Sequence, residues 1–430
     1  MKKIELIFGI IIALGMTAWF PCRVSAFHDG GVAYCDGCHT MHNSSGGAVM
    51  NARSGQGSQT IGTANGYLLQ GSDQSSTCLK CHSGSTAGSY KIATYPVPGA
   101  GSPPLQLTPG GDFAWLQKSY SWTTSYGASG SSPGERHGHN IVAADFGFVA
   151  DATLTAAPGG SYPAASLSCV SCHDPHGKYR INSNPATSFA TSGKPIAGSG
   201  SYGDLPTASE AVGVYRLLGG KLYQPKSVNY AFTYDPPVAV APSTYNRAED
   251  TTDTRVVYGK GTTEWCANCH ELFHSNLGSG LVHPAGVSVY STIASNYNMY
   301  VKTGSTGGVK GTAYTSMVPF QVDNTNDIST LSGKTSSTAG METNDRVTCL
   351  TCHRAHASGW DSMTRWNNKA EFLTIAGEYP GTDATDPEGA YGQYHGGKTK
   401  AEVAKTFYDR PAGKYASYQR SLCNKCHIKD

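Results

Sequence analysis

Cysteine and histidine carry the chemistry in this sequence. Of thirteen cysteines, twelve fall into six C-x-x-C pairs: Cys35/Cys38, Cys78/Cys81, Cys169/Cys172, Cys266/Cys269, Cys349/Cys352 and Cys423/Cys426. Pairs with this spacing suit a disulfide framework, a zinc site or a redox dithiol. None of these needs a histidine in the next position, yet one follows every pair: His39, His82, His173, His270, His353 and His427. C-x-x-C-H is the attachment motif of c-type haem. Two thiols on one turn of chain bond both vinyl groups, and the adjacent imidazole reaches the iron from one face. Motifs 1 to 6, in chain order, therefore imply six haem c groups (iron protoporphyrin IX held by thioether bonds).

Six irons with histidine on both faces need six more imidazoles. Nine remain: His28, His42, His137, His139, His176, His274, His283, His356 and His395. His42, His176 and His356 follow a proximal histidine by three residues, and His274 by four. Such a second imidazole cannot reach the far face of its own haem, because the chain already occupies the near face. It is placed to bind a neighbouring haem. His139, in Gly138-His139-Asn140, and His283, before Pro284, are further distal candidates, and so is His28. His137 and His395 read as surface residues. Seven candidates thus stand for six places, and methionine ligation, which would raise the potential, is not needed.

The elements around these residues are sparse. Lys2 and Lys3, an apolar run over residues 6–20 and the small residues Val24-Ser25-Ala26 form a secretory signal peptide over 1–26. Cys22 lies within it, so the exported chain, 27–430, begins at Phe27 with no unpaired thiol. Charged residues are 14% of the chain and glycines number 52. Long periodic stretches are few, so a conventional side-chain core is hard to build. The fold expected is a single domain, mostly irregular and loop-rich, with short helices and few short strands, its core a stack of haems. Residues 181–203 and 322–340 read as surface loops, 212–218 and 255–258 as strand-like pieces, and 400–410 as the clearest helix. A second helix is expected from Tyr415 into motif 6. Pro109-Gly110-Gly111-Asp112-Phe113 reads as a tight turn. The proximal histidines are spaced by 43, 91, 97, 83 and 74 residues, which is no fixed solenoid period. The net charge is +2, all of it contributed by the leader. With one net positive charge at each ferric iron and two propionates per haem, the loaded protein would carry roughly −6. No basic patch points to nucleic acid, and no later stretch is apolar enough to span a membrane.

Several stretches resemble one family. Cys35-Asp36-Gly37-Cys38-His39-Thr40-Met41-His42-Asn43-Ser44, CVSCHDPHGKYR from Cys169, EWCANCH from Glu264, CLTCHRAHASGWDSMTRWN from Cys349 and the closing SLCNKCHIKD look like OmcS-type cytochromes. These are the extracellular hexahaem cytochromes of metal-reducing bacteria that polymerise into conductive filaments. GHNIVAADFGFVADATLTAAPGG and VAVAPSTYNR, between motifs, resemble them too. The spacers 83–98 and 293–344 match poorly. The resemblance implies a homopolymer outside the cell with a continuous chain of bis-histidine haems. It also implies one haem, the fifth, completed by His42 of the adjacent subunit. Other cytochromes would be the electron donors, and metal oxides or other external acceptors the sink.

Two other classes fit less well. A multihaem reductase keeps an open iron position, through lysine in a haem motif or a shortage of distal ligands, and this sequence has neither. A monomeric periplasmic or surface shuttle, or a terminal metal reductase, would have the same motifs. Either way the chain reads as an electron-transfer protein rather than an enzyme.

Overall fold

In a computed structural model the chain is described at residues 35–40, 44–45, 48–49, 67–225, 228–242, 255–275 and 283–429. The expected signal peptide, Phe27, His28 and His42 lie outside these residues. Regular elements are short, as the glycine-rich and serine-rich composition dictates. The longest helix among the described residues, Tyr290–Met299, has ten residues, and the strands have two to four. The largest sheet has four strands, in the order Phe189–Ala190, Arg180–Ile181, Ala211–Gly213 and Ile196–Ser199. Val212 lies opposite Ile181 in its antiparallel pair, while Ile196–Ser199 runs parallel to Ala211–Gly213. No helix among the described residues is long and apolar enough to cross a membrane.

Several expectations need correction. Residues 181–203 are not a surface loop, since they carry three strands of that sheet and Ile181 is buried. Residues 322–340 contain the helix Ile328–Ser332, which buries Ile328 and Leu331 and is capped by Asp327, whose carboxylate accepts from Ser329 N at 2.8 Å. The strand at 212–218 stops at Gly213 and gives way to a 3₁₀ turn, Tyr215–Leu217. The strand near 255–258 is Val257–Tyr258. The C-terminal helix is Lys400–Thr406, closed at its start by a capping box between Thr399 and Glu402. It ends before Tyr408 and Asp409, which both adopt left-handed backbone conformations. No helix runs from Tyr415 into motif 6; two 3₁₀ turns, Ala412–Lys414 and Leu422–Lys425, take its place.

A side-chain core exists as well. Val212, Val240, Val257, Ile328, Leu331, Tyr297, Met317 and Phe407 belong to one buried cluster. Leu79, Phe113, Trp115, Ile141 and Phe148 belong to a second. Each such side chain contributes about 1.5–3 kcal/mol by leaving water, so apolar packing supports the fold alongside whatever the haems bury.

Candidate haem-binding sites

Each C-x-x-C-H folds as a single helical turn. The histidine N–H donates to the carbonyl of the first cysteine in motifs 1, 3, 4, 5 and 6, at 2.8, 3.0, 3.1, 3.0 and 2.9 Å. Motif 2 ends the helix Gln74–His82, whose first turn is capped by Asp73. One turn therefore presents two thiols and an imidazole together, as thioether attachment requires.

The six turns follow one another in space in the order of the sequence. Cys38 lies close enough to Cys81 to raise its pKa, burial being the larger cause. The thiols of Cys78 and Cys169 share a hydrogen bond, as do those of Cys266 and Cys349. Burial, then the neighbouring Cys269, pushes the Cys172 thiol up. Burial, then Cys423, pushes Cys352 up to about 12. Motif 1 thus meets motif 2, and so on to motif 6. A cavity of about 2290 Å³ with mostly apolar walls follows this row and is lined by thiols of motifs 1 to 5.

Motifs 1, 3 and 5 share a local architecture that the uneven spacers conceal. Nδ1 of His39 is 2.9 Å from the carbonyl of Tyr67, that of His173 2.6 Å from Arg216 and that of His353 2.8 Å from Ser362. The next residue along, Thr40, Asp174 or Arg354, donates its N–H to the following carbonyl, of Leu68, Leu217 or Met363. Two residues further on, Gln70, Gly219 or Arg365 donates back to Cys38, Cys172 or Cys352. Leu68, Leu217 and Met363 all sit in the left-handed region, at φ of 52, 58 and 47°. Non-glycine residues reach it at a cost of about 1–3 kcal/mol, and the same strained turn recurs three times. His82 and His270 also find carbonyl acceptors, of Tyr90 at 2.8 Å and Pro158 at 2.7 Å. A carbonyl at Nδ1 keeps the proton there and leaves the Nε2 lone pair free for a metal.

Four proximal imidazoles face a distal candidate. Ring centres are 6.3 Å apart for His39 and His176, 6.5 Å for His173 and His356, 6.1 Å for His270 and His139, and 6.1 Å for His427 and His283. Two imidazoles on opposite faces of one metal, with metal–nitrogen bonds of about 2 Å, place their ring centres roughly 6.3 Å apart. The donors therefore fit iron held by two imidazoles. Burial, then the facing His270, lowers the His139 pKa to about 4, and burial, then His173, lowers that of His356 to about 3. Neutral imidazole is the form that binds metal. His139 is also fixed by its Nδ1, 2.7 Å from the Ala355 carbonyl. His274 stands apart from these pairs, on the short helix Glu271–Ser275 with its ring 5.7 Å from that of Tyr234.

His137 and His395, expected at the surface, are buried at 0% and 3% exposure. Both ring nitrogens of each are engaged. His137 Nδ1 is 2.9 Å from the Trp115 carbonyl and its Nε2 2.8 Å from Ser132 Oγ. His395 Nε2 lies 3.0 Å from the Ala390 carbonyl, and its Nδ1 accepts from Gly397 N. They are internal hydrogen-bonding groups. The left-handed turns beneath motifs 1, 3 and 5 went unseen in the sequence, because no glycine marks them.

A loop-rich chain that strings six C-x-x-C-H turns in single file and sets imidazoles opposite four of their histidines is built as a multihaem c-type cytochrome. No protein-family model matches it. It is 52% identical over 422 residues, 94% of each chain, to the C-type cytochrome OmcS of Geobacter sulfurreducens. The chain therefore belongs to the OmcS family of c-type cytochromes, with haem c as its cofactor. The cryo-EM structure of the OmcS nanowires from the same organism superposes with a TM-score of 0.84 at 50% identity, covering 94% of this chain and all of that one. A second structure, of the outer membrane cytochrome S filament, gives 0.83 over the same extent.

Proposed function

We propose that this chain is the subunit of an extracellular filament that conducts electrons through six bis-histidine haems, and that it works by outer-sphere electron transfer rather than as an enzyme. When bound, each haem supplies an iron that takes up and returns one electron. The protein's part is to hold six such sites in a row, each closed to exogenous ligands by two imidazoles.

The observation that carries this reading is the set of four facing imidazole pairs along the ordered row. On it, His176 completes site 1, His356 site 3, His139 site 4 and His283 site 6. These assignments follow a rule with a step of two. The second histidine of motif 3 serves site 1, and that of motif 5 serves site 3. Carried one step past the chain, the second histidine of motif 1, His42, serves site 5 of a neighbouring subunit, at Cys349, Cys352 and His353. The even sites follow suit. His139 precedes motif 3 and serves site 4, and His283 precedes motif 5 and serves site 6. His28, which precedes motif 1, then serves site 2, and His274 is left over. The subunit boundary repeats an internal contact, so a polymer continues the row without a break. The whole-length likeness to the OmcS nanowire structure supports this assembly. Donors would be other cytochromes, and metal oxides or other acceptors outside the cell the sink.

Low-temperature EPR of the oxidised protein, with negative-stain microscopy of the same sample, tests the reading. Wholly low-spin ferric iron in filaments is expected. A substantial high-spin signal would favour a reductase with an open iron, and single particles a monomeric shuttle.

A further inference from the structure

The turn at residues 109–113 has no part in attaching any haem, yet it is built around one imidazole. His356 N donates to the Gly110 carbonyl at 2.7 Å. Phe113 lies flat on the His356 ring, with centroids 4.8 Å apart and planes 23° apart. Asp112, itself buried, ties the turn down by accepting from Thr94 N, Gln106 N and Ala114 N at 2.8 to 3.0 Å, and from the Thr94 hydroxyl. The two glycines are required by space. A Cβ on Gly111, at φ +99°, would fall 1.8 Å from the Ala357 carbonyl oxygen, and one on Gly110 would fall 2.6 Å from His356 Nδ1.

That Nδ1 is the anomaly. It is buried and makes no hydrogen bond of normal geometry; the Gly111 carbonyl reaches the ring only as a minor influence. By contrast, five proximal imidazoles and the distal His139 are each within 2.6 to 2.9 Å of a backbone carbonyl. An imidazole that donates from Nδ1 is a more basic ligand, and hydrogen bonding beyond the iron's own ligands tunes a haem potential. More basic ligands favour the ferric state and lower the potential.

We propose that the turn at 109–113 is the positioning element for His356, and that by denying its Nδ1 a well-aligned acceptor it sets site 3 at a higher potential than site 4. Site 4 has both imidazoles bonded to carbonyls, His270 to Pro158 and His139 to Ala355. Site 3 has one, His173 to Arg216. The inference rests on the pairing of His356 with His173 and of His139 with His270 given above.

The test is a potentiometric titration of the six-haem protein followed by EPR. The signals of sites 3 and 4 are identified as those lost from the low-spin set in His356→Ala and His139→Ala. Removing an outer partner of a metal ligand commonly changes affinity by about tenfold or more. Site 3 should then hold a ferrous-to-ferric ratio about tenfold above that of site 4 at the same solution potential, which for one electron is about 59 mV. A site 3 potential at or below that of site 4 overturns the proposal alone. If His356→Ala leaves every iron low-spin, the pairing falls and the proposal with it. Gly110→Ala probes the cradle, because its methyl must turn the imidazole; the site 3 signal should shift while the others stay. If that variant does not fold, Phe113→Leu should move the same signal. A site 3 signal unmoved in a folded variant reduces the turn to a structural element and overturns its positioning role.

Discussion

Lys398 is fully buried, and its Nζ has no hydrogen-bond partner. The ammonium rests on two rings, 3.8 Å from the centre of Tyr120 and 4.4 Å from that of Trp360. Burial lowers its pKa from 10.5 to about 7, against the pull of Glu402 and Asp361 and with a smaller push from Lys118. His137 and His395 lie within its field as well. The folded pKa is depressed, so the group costs stability while it must be charged. Below pH 7 it is protonated in both states and the cost is complete. Between pH 7 and 10.5 the unfolded chain holds a proton that the folded chain does not, so stability rises with pH. At about 1.4 kcal/mol per unit, the complete cost below pH 7 is on the order of 5 kcal/mol. Lys398→Met removes the charge and keeps a flexible chain that packs well on aromatic rings. The variant should be more stable by a few kcal/mol at pH 6, less any cation–π attraction of about 0.5–2 kcal/mol that is lost, and the gap should close toward pH 10. Guanidinium unfolding of the loaded protein, followed by tryptophan fluorescence at pH 6, 8 and 10, measures it. Equal stability of the two proteins at pH 6, or a gap independent of pH, would refute the reasoning.

Other consequences are direct. His176→Ala should leave six haems attached, since every thioether cysteine is intact, and should create one high-spin iron, at site 1; unchanged spin states would remove His176 from the ligand set. His28→Ala should likewise open site 2, whereas His274→Ala should leave all irons low-spin, and the reverse result would exchange the two residues. Mass spectrometry of the exported protein should give a chain beginning at Phe27 with six haems, and retention of Cys22 would contradict the cleavage site.

The candidate attachment turns were legible in the sequence, because two thiols and an imidazole on one turn form a contiguous signal. The pool of distal candidates was legible less sharply, and which imidazoles face one another not at all. His39 meets His176, and His173 meets His356, across stretches of chain whose path no local pattern encodes. His137 and His395 were misread because an isolated histidine carries no sign of the carbonyls that will satisfy it. Ile181, Ile328 and Leu331 were hidden inside glycine-, serine- and threonine-rich stretches, where composition argues for a loop and only tertiary packing argues otherwise. The threefold recurrence of motifs 1, 3 and 5 lies in backbone hydrogen bonds and in left-handed Leu68, Leu217 and Met363. Insertions between motifs erased its period from the sequence.

On the proposed assembly, the row of sites continues from one subunit to the next through His42. His42→Ala leaves all twelve thioether cysteines in place, so six haems should remain. EPR should show one high-spin iron per subunit, assigned to the site of Cys349 and Cys352, and microscopy should show shortened or weakened filaments beside wild type. Normal filaments containing only low-spin iron would contradict the account.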